Sequence, residues 1–207
     1  KEHNLRLEQE VKERTAELWR SRLDVIWRLG KAAEHRDNET GNHVIRVGCM
    51  ARAVAKHLGI DQQSTETLFV ASPLHDIGKV GIPDVILLKN GPLSLRERHV
   101  MMQHCRIGER ILKENAQTEI VFDCIVGNRE RTNTEWENPL LEMAARIALT
   151  HHERWDGTGY PQGLAGEAIP IESRITAIVD VFDALTSRRP YKPPFSEETA
   201  VSMISDE

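Results

Sequence analysis

Several histidines of this chain lie next to acidic residues or to one another in the sequence, a pattern that is uncommon for surface histidines. Imidazole nitrogen and carboxylate oxygen are ligands for iron, manganese, zinc, cobalt and nickel. The pattern therefore indicates a site for transition-metal ions. The residues that carry this indication are His43, His75, Asp76, His104, His151 and His152.

Glu39 precedes His43 by four positions. If a helix already runs at Glu39, residues at this spacing lie on one face, as two ligands of one ion must. Charged pairs at the same spacing are also common on solvated helix faces, so the pair alone indicates little.

His75 and Asp76 open the segment HDIGK, in which a possible ligand pair ends a predicted helix and Gly78 allows a tight turn. Adjacent side chains diverge by about 100° on a helix. The two residues can therefore reach one ion from two sides, or two ions through a bridging carboxylate. The alternative is a histidine that caps the helix C-terminus beside a solvated aspartate.

Residues 151–161, HHERWDGTGYP, form the most informative segment. They join two imidazoles at a predicted helix end to a loop with two glycines, an aromatic side chain and a proline. A simple turn would not require all of these.

The segments HDIGK and HHERWDGTGYPQGL resemble the HD-GYP family, a branch of the HD phosphohydrolase superfamily. The resemblance covers about residues 37–195 and includes RDNETGNHVIRV and RITAIVDVFDALTSRRPYK. It implies hydrolysis of cyclic di-GMP to linear pGpG, and often onward to GMP, in bacterial second-messenger signalling.

The resemblance also implies two or three divalent transition-metal ions. Iron or manganese is expected first, with zinc, cobalt or nickel as alternatives. Asp76 is expected to bridge two ions and Glu39 to accompany a third. The implied metal ligands are Glu39, His43, His75, Asp76, His104, His151, His152 and Asp180.

The implied catalytic residues are His75, Asp76 and Lys79. Because Lys79 lies about one turn from Asp76, its ammonium is expected to stabilise the developing oxyanion or to supply a proton to the leaving 3′ oxygen. The expected substrate contacts are Gly159, Tyr160, Pro161, Asp183, Arg189 and Lys192.

Asp183 follows Asp180 by three positions, so its carboxylate is expected to border the metals and to be free for a guanine edge. Arg189 and Lys192 are expected to contact phosphate. The alternative for these two cations is a solvated basic turn fixed by Pro190.

Two other functions stay open at this point. One is hydrolysis of another cyclic dinucleotide, such as cyclic GMP-AMP. The other is a non-catalytic receptor that binds cyclic di-GMP and signals through the N-terminal helix. Retention of both the HD pair and the GYP segment favours catalysis.

Apolar residues recur at three- and four-residue steps, and no strand alternation of useful length appears, so the predicted class is all-α: an HD-domain helical bundle. Residues 1–37 are predicted to form a long linker helix and residues 38–207 the catalytic domain, with an insert at about 114–138. Further helices are predicted at residues 40–58, 61–76, 84–89, 94–113, 140–153 and 172–187.

The opening helix carries Leu5, Val11, Leu18, Val25 and Leu29 at spacings of six, seven, seven and four. This seam is expected either to pair with a second copy in a coiled coil or to pack on its own domain. The helix is also expected to connect the domain to an upstream sensory or receiver domain.

Composition narrows the remaining classes. With 40% hydrophobic and 29% charged residues among 207, the chain is typical of one soluble globular domain. Its net charge of −5 argues against broad nucleic-acid binding. No apolar run approaches a transmembrane length, so the cytoplasm is the expected location. The three cysteines form no CxxC pair, which argues against a disulfide framework or zinc finger.

Overall fold

The structure is a computed structural model that describes residues 2–36, 42–114, 125, 138–187 and 193–205. The fold is all-α, as predicted. Its α-helices are α1 (Glu2–His35), α2 (His43–His57), α3 (Gln62–Ala71), α4 (Asp84–Leu87), α5 (Leu95–Lys113), α6 (Pro139–Thr150), α7 (Ile171–Thr186) and α8 (Glu197–Ser205). Short 3₁₀ helices lie at Ser72–Leu74, Ile77–Gly81 and Gly166–Ala168.

Capping residues start the helices where the sequence predicts. Asp61 accepts a hydrogen bond from the backbone N–H of Ser64 at the start of α3. Ser94 and Glu97 form the predicted capping box at the start of α5. Pro139 occupies the first turn of α6, where its missing N–H costs nothing.

The predicted helix at residues 61–76 is shorter than expected. α3 ends at Ala71, and the 3₁₀ helix Ser72–Leu74 follows it. Pro73 explains the break, because proline offers no N–H and its ring crowds the preceding turn of an α-helix. The helix α8 was not predicted from the sequence.

The core forms where α2, α3, α6 and α7 meet. α2 packs against both α3 and α7, and α3 packs against α6. α5 lies along α6 and also covers the 3₁₀ helix Ile77–Gly81. The fully buried side chains at the centre include Val47, Leu68, Val70, Ile147 and Ile175.

The C-terminal part of α1 packs on its own domain. Ile26 and Ala33 are buried against the domain, and the Trp27 ring meets Phe69 edge to face at 5.6 Å. Packing on its own domain is therefore found for the last third of α1. The seam from Leu5 to Leu29 stays exposed in this single chain.

Nearly all of the predicted insert lies outside the described residues. Among the helices that are described, none is long and apolar enough to cross a membrane.

Candidate metal centre

Five elements bring the predicted ligands to one place. His43 is the first residue of α2, and His104 lies within α5. His75 and Asp76 form the junction between the first two 3₁₀ helices. His151 and His152 follow the end of α6, and Asp180 lies on α7.

Seven of the eight predicted ligands form two adjacent groups. Within each group, one nitrogen or oxygen of every residue lies within 4.8 Å of the corresponding atom of the others. The eighth predicted ligand, Glu39, lies outside the described residues. The first group is Asp76, His104, His151 and His152, and the second is His43, His75 and Asp180.

The Asp76 carboxylate lies between the two groups. Its Oδ2 atom is 3.2 Å from Nε2 of His75. Its Oδ1 atom is 3.4 Å from Nε2 of His104 and 3.6 Å from Nε2 of His151. Each oxygen thus faces a different group, which is the arrangement that a bridging carboxylate requires.

Backbone carbonyls fix the orientation of three imidazoles. Nδ1 of His75 lies 2.9 Å from the Ser72 oxygen, and Nδ1 of His104 lies 2.7 Å from the Met101 oxygen. Nδ1 of His151 lies 3.0 Å from the Ile147 oxygen. Since a carbonyl only accepts, each Nδ1 must carry a proton, which leaves Nε2 as the nitrogen that can face a metal ion.

Three donor atoms point into the site without a hydrogen-bond partner. Nε2 of His75, Nε2 of His151 and Oδ1 of Asp76 are buried and unsatisfied. Acceptors that face one another at such distances repel unless a cation or a proton lies between them. The donor atoms therefore fit transition-metal ions, which such nitrogen and oxygen ligands bind.

The protonation states are those of metal ligands. Burial lowers the pKa of His104 to about 4 and also lowers that of His152. Burial alone would raise the pKa of Asp180, but the hydrogen bond from His43 outweighs it and the pKa is about 2. Both imidazoles are consequently neutral and the carboxylate charged near pH 7.

Asp76 is ionised although it is deeply placed. Burial alone would raise its pKa, but the Lys79 ammonium, with Nζ 2.8 Å from Oδ2, and the neighbouring His75 hold it well below its usual range. Burial lowers the pKa of His75, yet Asp76 and Asp180 raise it overall. Asp76 therefore carries a negative charge, which a metal cation can bind in addition to the Lys79 ammonium.

The expected free carboxylate of Asp183 is not found. Asp183 is buried, and its Oδ2 atom accepts a hydrogen bond from Nδ1 of His43 at 2.7 Å. Nε and a terminal nitrogen of Arg46 donate to the two carboxylate oxygens at 2.5 and 2.9 Å. The hydrogen bond to Asp183 therefore orients the His43 ring. The packing of α2 on α7 brings Arg46 to the same carboxylate.

Replacing Asp183 with asparagine is expected to weaken metal binding by about 10- to 100-fold, because an amide has one acceptor oxygen and its NH2 group would then face an N–H donor of His43 or Arg46. Metal titration against a competing chelator measures the change. The exposed Asp156→Asn variant is the matched control and should bind metal normally. If Asp183→Asn kept its metal affinity and only raised KM, Asp183 would be a substrate contact after all.

The GYP segment folds back on the histidine pair. Glu153 is buried and accepts backbone hydrogen bonds from Gln162 at 2.7 Å and Leu164 at 3.0 Å. A Cβ at Gly159 would lie 2.3 Å from the backbone nitrogen of Arg154, so only glycine permits this close approach. These contacts place the Tyr160 ring over His152, with centroids 4.7 Å apart.

Changing Glu153 to glutamine is expected to raise KM about 10-fold while metal content stays normal, since one buried backbone N–H then loses its acceptor. Kinetics and metal analysis of the same preparation separate the two quantities. Glu167→Gln, an exposed change in the same loop, is the control. Unchanged KM would show that Glu153 does not position the Tyr160 loop.

Other predicted residues have different outcomes. Lys79 lies at the site through its contact with Asp76, and the Tyr160 ring lies beside those of His104 and His152. The carbonyl oxygen of Pro161 accepts a hydrogen bond from Arg106. Arg189 and Lys192 lie outside the described residues. Sequence reasoning missed Arg46, although its position three residues after His43 places both on one helical face.

The comparisons with known proteins agree with this geometry. A family model described as HD domain matches residues 29–207. The cyclic di-GMP phosphodiesterase of Thermotoga maritima is 44% identical over 182 residues, which are 88% of this chain and 44% of the relative. The cyclic di-GMP phosphodiesterase response regulator RpfG of Xanthomonas campestris pv. campestris is 39% identical over 204 residues, 99% of this chain and 48% of the relative.

A relative with a different name is nearly as similar. The 3′3′-cGAMP-specific phosphodiesterase 2 of Vibrio cholerae is 42% identical over 84% of this chain and 30% of the relative. A solved Vibrio cholerae structure, the cyclic GMP-AMP specific phosphodiesterase V-cGAP3, matches 89% of this chain and 44% of that chain with a TM-score of 0.52. At 18% identity this last likeness shows the fold alone.

The chain spans less than half the length of each of these relatives. The family match, by contrast, covers most of the chain and includes every described ligand of the two groups. HD domain proteins are metal-dependent, and the two donor groups have the composition that such a site requires. The chain therefore belongs to the HD domain family, in the HD-GYP branch that its sequence resembles.

Proposed function

We propose that this chain is the catalytic domain of a metal-dependent phosphodiesterase that hydrolyses cyclic di-GMP to pGpG, with GMP as a possible further product. The observation that carries the proposal is the Asp76 carboxylate between two groups of imidazole and carboxylate donors. Relatives named cyclic di-GMP phosphodiesterases, 39% and 44% identical, support the choice of substrate.

The chemistry of phosphodiester hydrolysis fits this site. When bound, a pair of divalent ions supplies a water of lowered pKa and neutralises charge on the phosphoryl oxygens. Lys79 is held beside Asp76, and its side chain is largely buried. There its ammonium stabilises the developing oxyanion or supplies a proton to the leaving 3′ oxygen.

The proposed substrate contacts begin at the GYP segment. The face of Tyr160 borders the metal centre through its neighbours His152 and His104, so a base of the dinucleotide can stack there. Gly159 and Pro161 shape this loop. Arg189 and Lys192 remain the proposed phosphate contacts.

We propose iron or manganese as the native metal. Burial raises the pKa of the Cys105 thiol, which lies 3.5 Å from Nε2 of His104, so this sulfur stays protonated and the donors are nitrogen and oxygen. Such a set accepts iron and manganese, with zinc, cobalt and nickel as alternatives. Glu39 is the proposed ligand of a third ion.

The proposal is tested by incubating metal-loaded protein separately with cyclic di-GMP and with 3′3′-cyclic GMP-AMP and separating the products. We expect faster conversion of cyclic di-GMP, with pGpG appearing first, and loss of both products when a chelator removes the metal. Faster hydrolysis of cyclic GMP-AMP would overturn the substrate, and tight binding without turnover would support a receptor instead.

We also propose that α1 pairs in parallel with α1 of a second copy, and that it connects to an upstream sensory or receiver domain. The Xanthomonas relative is named a response regulator and is about twice as long as this chain, which supports such a domain. The exposed Val11 and Leu18 lie on the seam, 63% and 72% exposed in the single chain.

Placing glutamate at both Val11 and Leu18 is expected to dissociate the dimer, because like charges then face each other across the seam. Sedimentation at several protein concentrations measures the change. Val85→Glu, which alters an equally exposed valine away from α1, is the control and should leave the mass unchanged. A wild-type chain that stays monomeric at high concentration would contradict the pairing.

A further inference from the structure

The end of α1 contacts the loop that carries two catalytic residues. We infer that Arg36 is a positioning residue that fastens α1 to this loop, so that the placement of α1 and the strength of metal binding are coupled. This inference deepens the proposed function and rests on it only for the role of the metal. It concerns Arg36, which opens the segment RDNETGNHVIRV and to which the sequence analysis assigned no role.

Arg36 uses both terminal nitrogens on one short stretch of backbone. One nitrogen donates to the carbonyl oxygen of Lys79 at 3.1 Å and also to that of Val80. The other donates to the carbonyl oxygen of Ile82 at 3.0 Å and to Oδ1 of Asp84 at 2.6 Å. A guanidinium thus caps the C-terminal carbonyls of the 3₁₀ helix Ile77–Gly81.

Residues 79–84, which Arg36 binds, are connected to the Asp76 carboxylate. Lys79 is bound at both ends, because its carbonyl accepts from Arg36 while its Nζ lies 2.8 Å from Oδ2 of Asp76. Asp76 is itself the residue just before this 3₁₀ helix. A displacement of the helix therefore moves the carboxylate that both donor groups share.

The same end of α1 also touches the second donor group. Oε1 of Glu34 accepts from the backbone nitrogen of Val44 at 3.0 Å and lies 3.9 Å from Nε2 of His43. Gly30 lies close to the segment before His75: a Cβ there would be 2.8 Å from the carbonyl oxygen of Pro73. The C-terminal end of α1 and Arg36 together consequently contact the segments that carry both donor groups.

Two sites joined by such contacts must influence each other reciprocally. If the placement of α1 strengthens metal binding, then metal binding must also hold α1 more firmly on the domain. The effect is measurable without substrate. Its failure is therefore distinguishable from failure of the proposed function.

The experiment combines manganese titration with hydrogen exchange of the whole chain, with and without Mn²⁺. In the wild type, Mn²⁺ is expected to slow exchange over residues 23–35 of α1. Arg36→Ala should weaken metal binding by about 10-fold and abolish this slowing, since the link to the Lys79 loop is lost. Helix content by circular dichroism verifies that the variant is folded.

Arg28→Ala is the matched control, because this exposed arginine on the same helix pairs with Asp24 one turn away. It should leave both the metal affinity and the exchange pattern unchanged. Asp84→Asn, which alters an exposed partner of Arg36, should produce a smaller change in the same direction. The inference would be overturned if Arg36→Ala bound metal as tightly as the wild type does. It would also be overturned if Mn²⁺ did not change the rate of hydrogen exchange over α1 in the wild type.

Discussion

Replacing His75 and Asp76 together with alanine is expected to abolish turnover and to remove most of the bound metal. His75 belongs to one donor group, and the Asp76 carboxylate faces both groups. The double change therefore removes a donor of one group and the carboxylate that lies between the two groups. With the shared carboxylate gone, hydrolysis should fall by about a thousandfold or more. Product formation and metal content of the purified variant measure both effects.

His57→Ala is the control for this pair, because His57 is an exposed histidine at the end of α2 and lies in neither donor group. It should retain full activity and metal. A folded double variant that kept its metal and near-normal hydrolysis would show that the site lies elsewhere.

Changing Gly78 to alanine is expected to destabilise the protein and to impair metal binding together. A Cβ at this position would lie 1.9 Å from the carbonyl oxygen of His104 and 2.5 Å from the backbone nitrogen of Gly108. Backbone cannot move aside as a flexible side chain can, so the 3₁₀ helix must leave α5 and separate Asp76 from His104. Such overpacking costs about 1–3 kcal/mol, and more where the backbone must shift.

Gly81→Ala provides the comparison within the same 3₁₀ helix. Its Cβ would meet only the Ile107 side chain, at 3.0 Å, and that side chain can adjust. Thermal unfolding and metal titration of the two variants should therefore differ clearly. Equal, small effects of both substitutions would contradict the close packing of this helix on α5.

The sequence analysis assigned Gly78 a structural role, but the structure gives a different reason for the glycine. The sequence favoured a glycine because of a tight turn, but its φ is not in the left-handed region. The structure requires glycine because two backbones touch. Packing between distant segments decides this, and a single sequence does not display it.

The elements and most of the clustered donor side chains could be predicted because their signals are local. Ser94 and Glu97 form a capping box that marks the start of α5 within one turn. The histidine pair at the end of α6 belongs to the motif HHERWDGTGYP. The grouping of ligands was less accessible. Which histidines share an ion depends on how α5, α6 and α7 meet in space.

The positioning residues could not be predicted from spacing alone. Arg36 is more than 40 positions from the carbonyls that it binds, and Arg46 is 137 positions from Asp183. Asp183 does lie near Asp180 on α7, as the helical spacing predicts. Arg46 and His43 of α2 nevertheless donate to its carboxylate, which is therefore not the free acceptor that the sequence analysis expected.

We expect the protein to bind two ions side by side at the Asp76 carboxylate. Anomalous diffraction from crystals of the manganese-loaded protein tests this arrangement directly. A two-ion site should give at least two adjacent peaks, one among His104, His151 and His152 and one beside His43, His75 and Asp180, with a different oxygen of Asp76 facing each. A single peak, or peaks away from Asp76, would contradict it.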